Sequence, residues 1–163
     1  MNAVFYDDYA GLAPGHSWTT RSRRIRADDI RAFAESTGDL NPIHLDAGHA
    51  RRSGYANVIA HGYLTISWAA GLVHALGIDH IASNAILESA WQLLDVVEAD
   101  EEIHVELSIV EHRPSRSKPD FGIVTRRFDV RAGRDRSIAR GVVTILVFRR
   151  EAAISRGLIG DSA

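Results

Sequence analysis

The chain has 163 residues, 45% of them hydrophobic and 25% charged, which suits one soluble globular domain over 1–163 with a core that needs no staples. It contains no cysteine, so disulfides and thiolate-bound zinc are excluded and a reducing, cytoplasmic setting fits. A formal net charge of −2 gives no reason to expect nucleic acid, although eighteen of the nineteen basic residues are arginine, a side chain suited to gripping phosphate.

Asp7 and Asp8 stand where a secretion signal would need basic residues and an apolar run. No segment reaches the roughly twenty apolar residues of a membrane span, so no membrane is expected as a partner. Residues 5–15, broken by Gly11, Pro14 and Gly15, read as an extended lead-in, and 16–26 as a polar first strand. Asp28 is placed to cap a helix through about Thr37, with Ile30, Phe33 and Ala34 on one face, and Gly38 follows as a left-handed stop. Asp46 is placed to cap a short helix that ends near Gly54. Residues 63–76 predict a long apolar helix buried on nearly all sides, with Gly77 as its terminator.

The remainder reads as β-structure. Ala85–Leu94 is one strand; in the next, Ile103, Val105, Leu107 and Ile109 alternate with His104, Glu106 and Ser108, the period of a half-buried strand. Phe121–Arg131 is a third. After a turn at 132–135, Ile138–Phe148 is a fourth whose β-branched run predicts burial on both faces. One apolar helix and several strands without βαβ alternation predict an α+β fold in which an antiparallel sheet wraps the helix.

The chemistry concentrates between Gly38 and Gly62. Asp39, Asn41, Pro42 and His44 fall within six residues, and Asn-Pro bars the preceding helix from continuing. A rigid, non-helical turn there puts a carboxylate and an imidazole in position to share one water; the same residues also serve as ordinary turn formers. Ile59-Ala60-His61-Gly62 then opens the apolar helix. A glycine at that entry exposes a backbone N–H at the positive end of the helix dipole, the donor an oxyanion needs.

Phe33-Ala-Glu-Ser-Thr-Gly-Asp-Leu-Asn-Pro-Ile-His-Leu-Asp46, followed by Ile59-Ala-His-Gly62, resembles the signature of the MaoC-like, (R)-specific enoyl-CoA hydratases of the hot-dog fold. The resemblance implies that Asp39 and His44 activate the water added to a 2-enoyl thioester, and that the Gly62 N–H binds the thioester carbonyl. It implies Asn41, His61 and Ser67 as substrate-side residues and coenzyme A as part of the substrate, with an acyl carrier protein as the other possible carrier. No metal or redox cofactor is needed: His44 and His61 are far apart in sequence and no His-X-X-X-His pair falls on a predicted helix. The basic connection 113–120 is either a contact for coenzyme A phosphates or a partner, or a plain hairpin loop. Hot-dog chains generally pair, so a homodimer or dimer of dimers is expected.

Two departures stand out. The family's helix hydroxyl falls near Ser67 or Ala70, and the Pro-Val-X-X-Gly-Asp turn is here Asp95-Val-Val-Glu-Ala-Asp100, without its proline and glycine. A thioesterase or a non-catalytic acyl-thioester binder on the same scaffold are the rival functions.

Overall fold

Four long strands carry the architecture, and the apolar side of each decides which way it faces. The computed structural model describes residues 4–78, 81–133 and 136–160. β1 (Ser17–Thr19), β3 (Ser83–Leu93), β4 (Glu102–Pro114), β5 (Phe121–Ala132) and β6 (Arg136–Phe148) form an antiparallel sheet in the order β1-β4-β5-β6-β3, and β2 (Arg23–Arg24) also pairs with β4. The long 63–76 helix is α5 (Gly62–His74), seated on the concave side through Leu64, Ala69, Leu72 and Val73. This is the α+β, hot-dog arrangement that the pattern predicts.

The period-two reading of β4 holds: Ile103, Val105, Leu107 and Ile109 are all at most 2% exposed, while their neighbours face outward. Double-sided burial of β6 does not hold along its length. Ile145 to Phe148 are buried, but Val142 is 40% exposed: the face it shares with Leu146 and Phe148 is covered only toward the end of the strand. α5 likewise is not buried all round. Tyr63, Ser67, Ala70, Gly71 and His74 lie on an open side, next to the edge strand β3, whose Ile86 and Leu87 are 65% and 51% exposed.

Three further expectations are revised. The lead-in contains a helix, α1 (Tyr6–Ala10), which buries Tyr6 and Tyr9; Tyr6 lies so close over Gly122 of β5 that any Cβ there would overlap its ring. The 16–26 strand is two short pieces, β1 and β2, both on β4. α2 (Ala27–Thr37) starts two residues early: Arg26, not Asp28, is the N-cap, and Asp29 accepts its N–H at 2.9 Å. A short helix not anticipated from the sequence, α6 (Arg150–Ser155), follows β6 and buries Ala152 and Ala153. The basic loop at 115–120 joins β4 to β5. It lies twelve strand positions from Glu102, roughly 40 Å along β4 at about 3.3 Å per residue, so within one chain it is remote from the Gly38–Gly62 stretch. No described helix is long and apolar enough to cross a membrane.

Candidate active site

The site begins where α2 ends. Gly38 takes φ 79° and donates its N–H to Ala34 O, the left-handed stop its position predicts. The chain then turns through Asp39 to Asn41 and enters a single helical turn, α3 (Pro42–Leu45). The expected non-helical turn through His44 is thus corrected: proline cannot continue a helix but is well suited to begin one, because its missing N–H would be unsatisfied there anyway. Asn41 Oδ1 accepts the Ile43 N–H at 3.2 Å and caps that turn. Asp46 accepts from Gly48 and His49 N–H at 2.7 and 3.0 Å and caps α4 (Ala47–Arg52), as expected. Those two N–H groups hold its carboxyl below the usual carboxylate range.

His44 is oriented from behind. Its Nδ1 lies 2.7 Å from the Ile59 carbonyl oxygen, which can only accept, so Nδ1 carries the proton and Nε2 is left with the lone pair. Burial is the main influence on its pKa and lowers it; the Ile59 bond works against that, and His61 adds to the lowering. A nitrogen of His44, one of His61 and a carboxylate oxygen of Asp39 all lie within 4.8 Å of one another. That spacing lets one water bridge the Asp39 carboxylate and the His44 imidazole.

His44 lines a cavity of about 310 Å³ whose other walls include Gly62, Thr65, Leu93, Asp95 and Val97. The Gly62 N–H belongs to the first turn of α5, where no intrahelical carbonyl can reach it; the helix ladder starts with Thr65 N–H on His61 O at 3.1 Å. Across from it, the 94–97 loop is tied down by Ala60 N–H on Val97 O at 2.7 Å and by Arg136. Arg136 Nη1 donates to Asp95 Oδ2 at 2.7 Å and to Val96 O at 2.9 Å, and Nη2 donates to Glu101. The Arg136 guanidinium holds the Asp95 carboxyl low, with help from the Val96 N–H. This brace occupies the turn that lacks the family's proline and glycine, and Asp100 takes φ 74° to complete it.

The remaining candidates fall elsewhere. Asn41 is exposed and its carbonyl oxygen is spent on the cap. Asp39, its side chain 58% exposed, is not among the residues that line the cavity and is tied to it through its closeness to His44. Ser67 donates to Tyr63 O at 2.7 Å and lines a different cavity, of about 580 Å³, between α5 and β3. A third cavity, of about 450 Å³, shares Leu93 with the first and Ile66, Ser89 and Trp91 with the second, so a continuous seam runs along α5. His61 is 3% exposed and sits beneath His44, outside the cavity wall. The hydroxyl that does line the first cavity is Thr65, bonded to His61 O at 3.3 Å; a threonine in the first turn of the helix was its only sequence signal. Sequence separation is also a poor guide to the histidines: the rings of His44 and His61 are in contact. Together with Asp39 they form a group of ligand-type side chains, in which each ring has one nitrogen engaged with a backbone carbonyl.

A family model described as a MaoC like domain matches residues 10–130. The chain belongs to that family. Among curated relatives, this MaoC-like chain is 35% identical over 89 residues to the 3-hydroxybutyryl-CoA dehydratase of Methylorubrum extorquens, covering 50% of this chain and 54% of the relative. It is 38% identical over 52 residues to the (R)-specific enoyl-CoA hydratase of Aeromonas caviae, covering 32% and 39%. The matched stretches thus span about half of those relatives' length or less. The crystal structure of the MaoC-like dehydratase from Rhodospirillum rubrum superposes with a TM-score of 0.77 at 29% identity, over 91% of this chain and 99% of that one.

Proposed function

We propose that the chain is a hydro-lyase that adds water across the double bond of a trans-2-enoyl thioester, giving the (R)-3-hydroxyacyl thioester, and catalyses the reverse elimination. One observation carries this reading: His44, its Nδ1 held by the Ile59 carbonyl, lines a cavity that Gly62 at the entry of α5 also lines, and a carboxylate oxygen of Asp39 lies within 4.8 Å of a His44 nitrogen. The names of the dehydratase and hydratase relatives support it.

In the proposed steps the thioester carbonyl accepts the Gly62 N–H and faces the α5 dipole, which draws electron density from C3. The Asp39 carboxylate accepts a hydrogen bond from one water O–H and orients the molecule; that proton stays on the oxygen and becomes the 3-hydroxyl hydrogen. His44 Nε2 takes the other as the water oxygen bonds to C3, and the π electrons move onto the carbonyl oxygen as an enolate. His44 then returns its proton to C2 on the same face as the enolate collapses. A group whose acid form is disfavoured by burial accepts this proton only transiently, which suits a shuttle. The acyl chain runs along the α5–β3 seam past Leu93 and Trp91. No metal or redox cofactor enters these steps, and coenzyme A or an acyl carrier protein is the thioester's carrier. The Arg136 brace acts on the carbonyl side of the cavity, opposite His44. A second copy of the chain, paired along the open β3 edge, completes the assembly.

Incubation with a panel of trans-2-enoyl-CoA substrates tests the reading. Loss of the conjugated-thioester absorbance with formation of an (R)-3-hydroxyacyl product is expected. Release of free thiol points to a thioesterase instead, and binding without turnover points to an acyl-thioester carrier.

A further inference from the structure

His61 makes contacts that no other residue of the site makes together. Its Nε2 lies 3.0 Å from the Asp39 carbonyl oxygen, an acceptor only, so the imidazole donates there. Its ring stacks on His44 with centroids 3.7 Å apart and planes 28° from parallel, and Phe33 of α2 supports it with centroids at 5.0 Å. Its own carbonyl receives the Thr65 N–H and hydroxyl at 3.1 and 3.3 Å, which fixes it as the N-cap of α5. By contrast, the other bonds that hold Asp39 are long: Asp39 N–H to Thr37 Oγ1 and Asn41 N–H to Asp39 Oδ1 are both 3.4 Å.

We propose that His61 is a positioning residue: its Nε2–H and its ring face jointly hold the Asp39 backbone and the His44 imidazole in register with the Gly62 N–H. The inference rests on the hydratase reading above. A phenylalanine would supply the stacking but no donor, and a glutamine the donor but no ring. Among the described residues the buried His61 Nδ1 has no hydrogen-bond partner, so Nε2 is the ring atom that makes the polar contact.

His61→Phe keeps the ring without the donor, and His61→Gln keeps an amide N–H near the Nε2 position without the ring. For each, kcat and KM for enoyl-CoA hydration are measured per mole of folded protein, counted from thermal melts. The titration of His44 is followed separately by NMR on histidine-labelled enzyme without substrate. The titratable groups facing His44 are Asp39 and His61 on the elbow side and Asp95, paired with Arg136, across the cavity. Both variants are expected to lose about 10- to 100-fold in kcat with KM held within about threefold, the pattern of misplaced reacting groups. The His44 midpoint in His61→Phe is expected to move up, because the neighbour that opposes its charge is gone. Unchanged kcat and an unchanged His44 midpoint in either folded variant overturn the proposal, as does a loss confined to KM or to the folded fraction. If wild type fails to hydrate any enoyl-CoA while the His44 midpoint still moves, the hydratase reading falls and the positioning role stands.

Discussion

Leu93 Cδ1 occupies the space that a Cβ on Gly62 would need. The side chain reaching over the helix entry comes from the last residue of β3 and is itself 53% exposed, so it can swing aside, and one of the spaces next to it is the cavity it already lines. Gly62→Ala keeps the backbone N–H intact. A loss of activity that Leu93→Ala relieves therefore reports a displaced Leu93 side chain. We expect kcat/KM to fall about 10- to 100-fold. In the Gly62→Ala/Leu93→Ala double variant it should return to within about threefold of Leu93→Ala alone, since residues in contact give non-additive effects. Additive losses would place the defect in the helix entry itself.

Removing either arm of the water-holding pair tests the proposed chemistry most directly. Asp39→Asn and His44→Ala are each expected to lower kcat by about 10²- to 10⁴-fold, the range for loss of positioned proton transfer. Asp39 is largely exposed, so its variant should melt close to wild type. His44→Ala also releases the Ile59 carbonyl, a loss of about 1 kcal/mol or roughly 3 °C. Turnover within tenfold of wild type in either variant would remove the pair from the mechanism.

Much of this site was legible from residue order because its parts are local. Gly38, the Asn41-Pro42 step and the Asp46 cap each impose their geometry within a few residues, and the alternation in β4 gives its buried face directly. What the sequence concealed depends on contacts between distant segments. The stacking of His61 under His44, the Arg136 brace on the 94–101 turn and the place of Thr65 in the wall of a cavity shared with Leu93 to Val97 all depend on how separate elements pack together. The misread edges have the same origin: Val142 and α5 have apolar sequence on faces that a single chain does not cover.

The pH dependence has a definite sign. Burial lowers the His44 pKa from its ordinary 6.5, so the folded state binds fewer protons than the unfolded state between the two values. In that window stability rises with pH, and the contribution is lost as pH falls through 6.5 toward the folded value. If neutral His44 accepts the water proton, the acid limb of kcat/KM should have its midpoint below 6.5 and should be absent in the residual activity of His44→Ala. Rate measurements from pH 4.5 to 8 check this; an acid limb that survives the substitution belongs to another group.

Arg136 holds the cavity's far wall through Asp95, Val96 O and Glu101. Arg136→Ala is expected to loosen the 94–97 loop, raise KM several-fold with a smaller change in kcat, and lower Tm by roughly 3 °C for about 1 kcal/mol of lost hydrogen bonding. Arg136→Lys keeps the charge but not the fork that reaches three acceptors, so it should recover only part of the loss. Full recovery by lysine would mean that charge alone, not the directed bonds, shapes the wall.

The open β3 edge predicts the state of assembly. β3 pairs with β6 on one side only, which leaves a row of backbone N–H and C=O groups next to Ile86 at 65% and Leu87 at 51% exposure. A long apolar edge of this kind is a template for another strand unless it is covered. Pairing with the same edge of a second copy satisfies those groups symmetrically, and it would also close the open side of α5 where Tyr63 is 78% exposed. Light scattering should give twice the chain mass of 17.9 kDa or a multiple of that. Ile86→Arg, which puts a charge on each copy of the exposed apolar edge, should shift the mass toward the monomer. Because the seam between α5 and β3 then loses its cover, activity should fall with the dimer fraction; a fully active monomer would show that one chain suffices for the site.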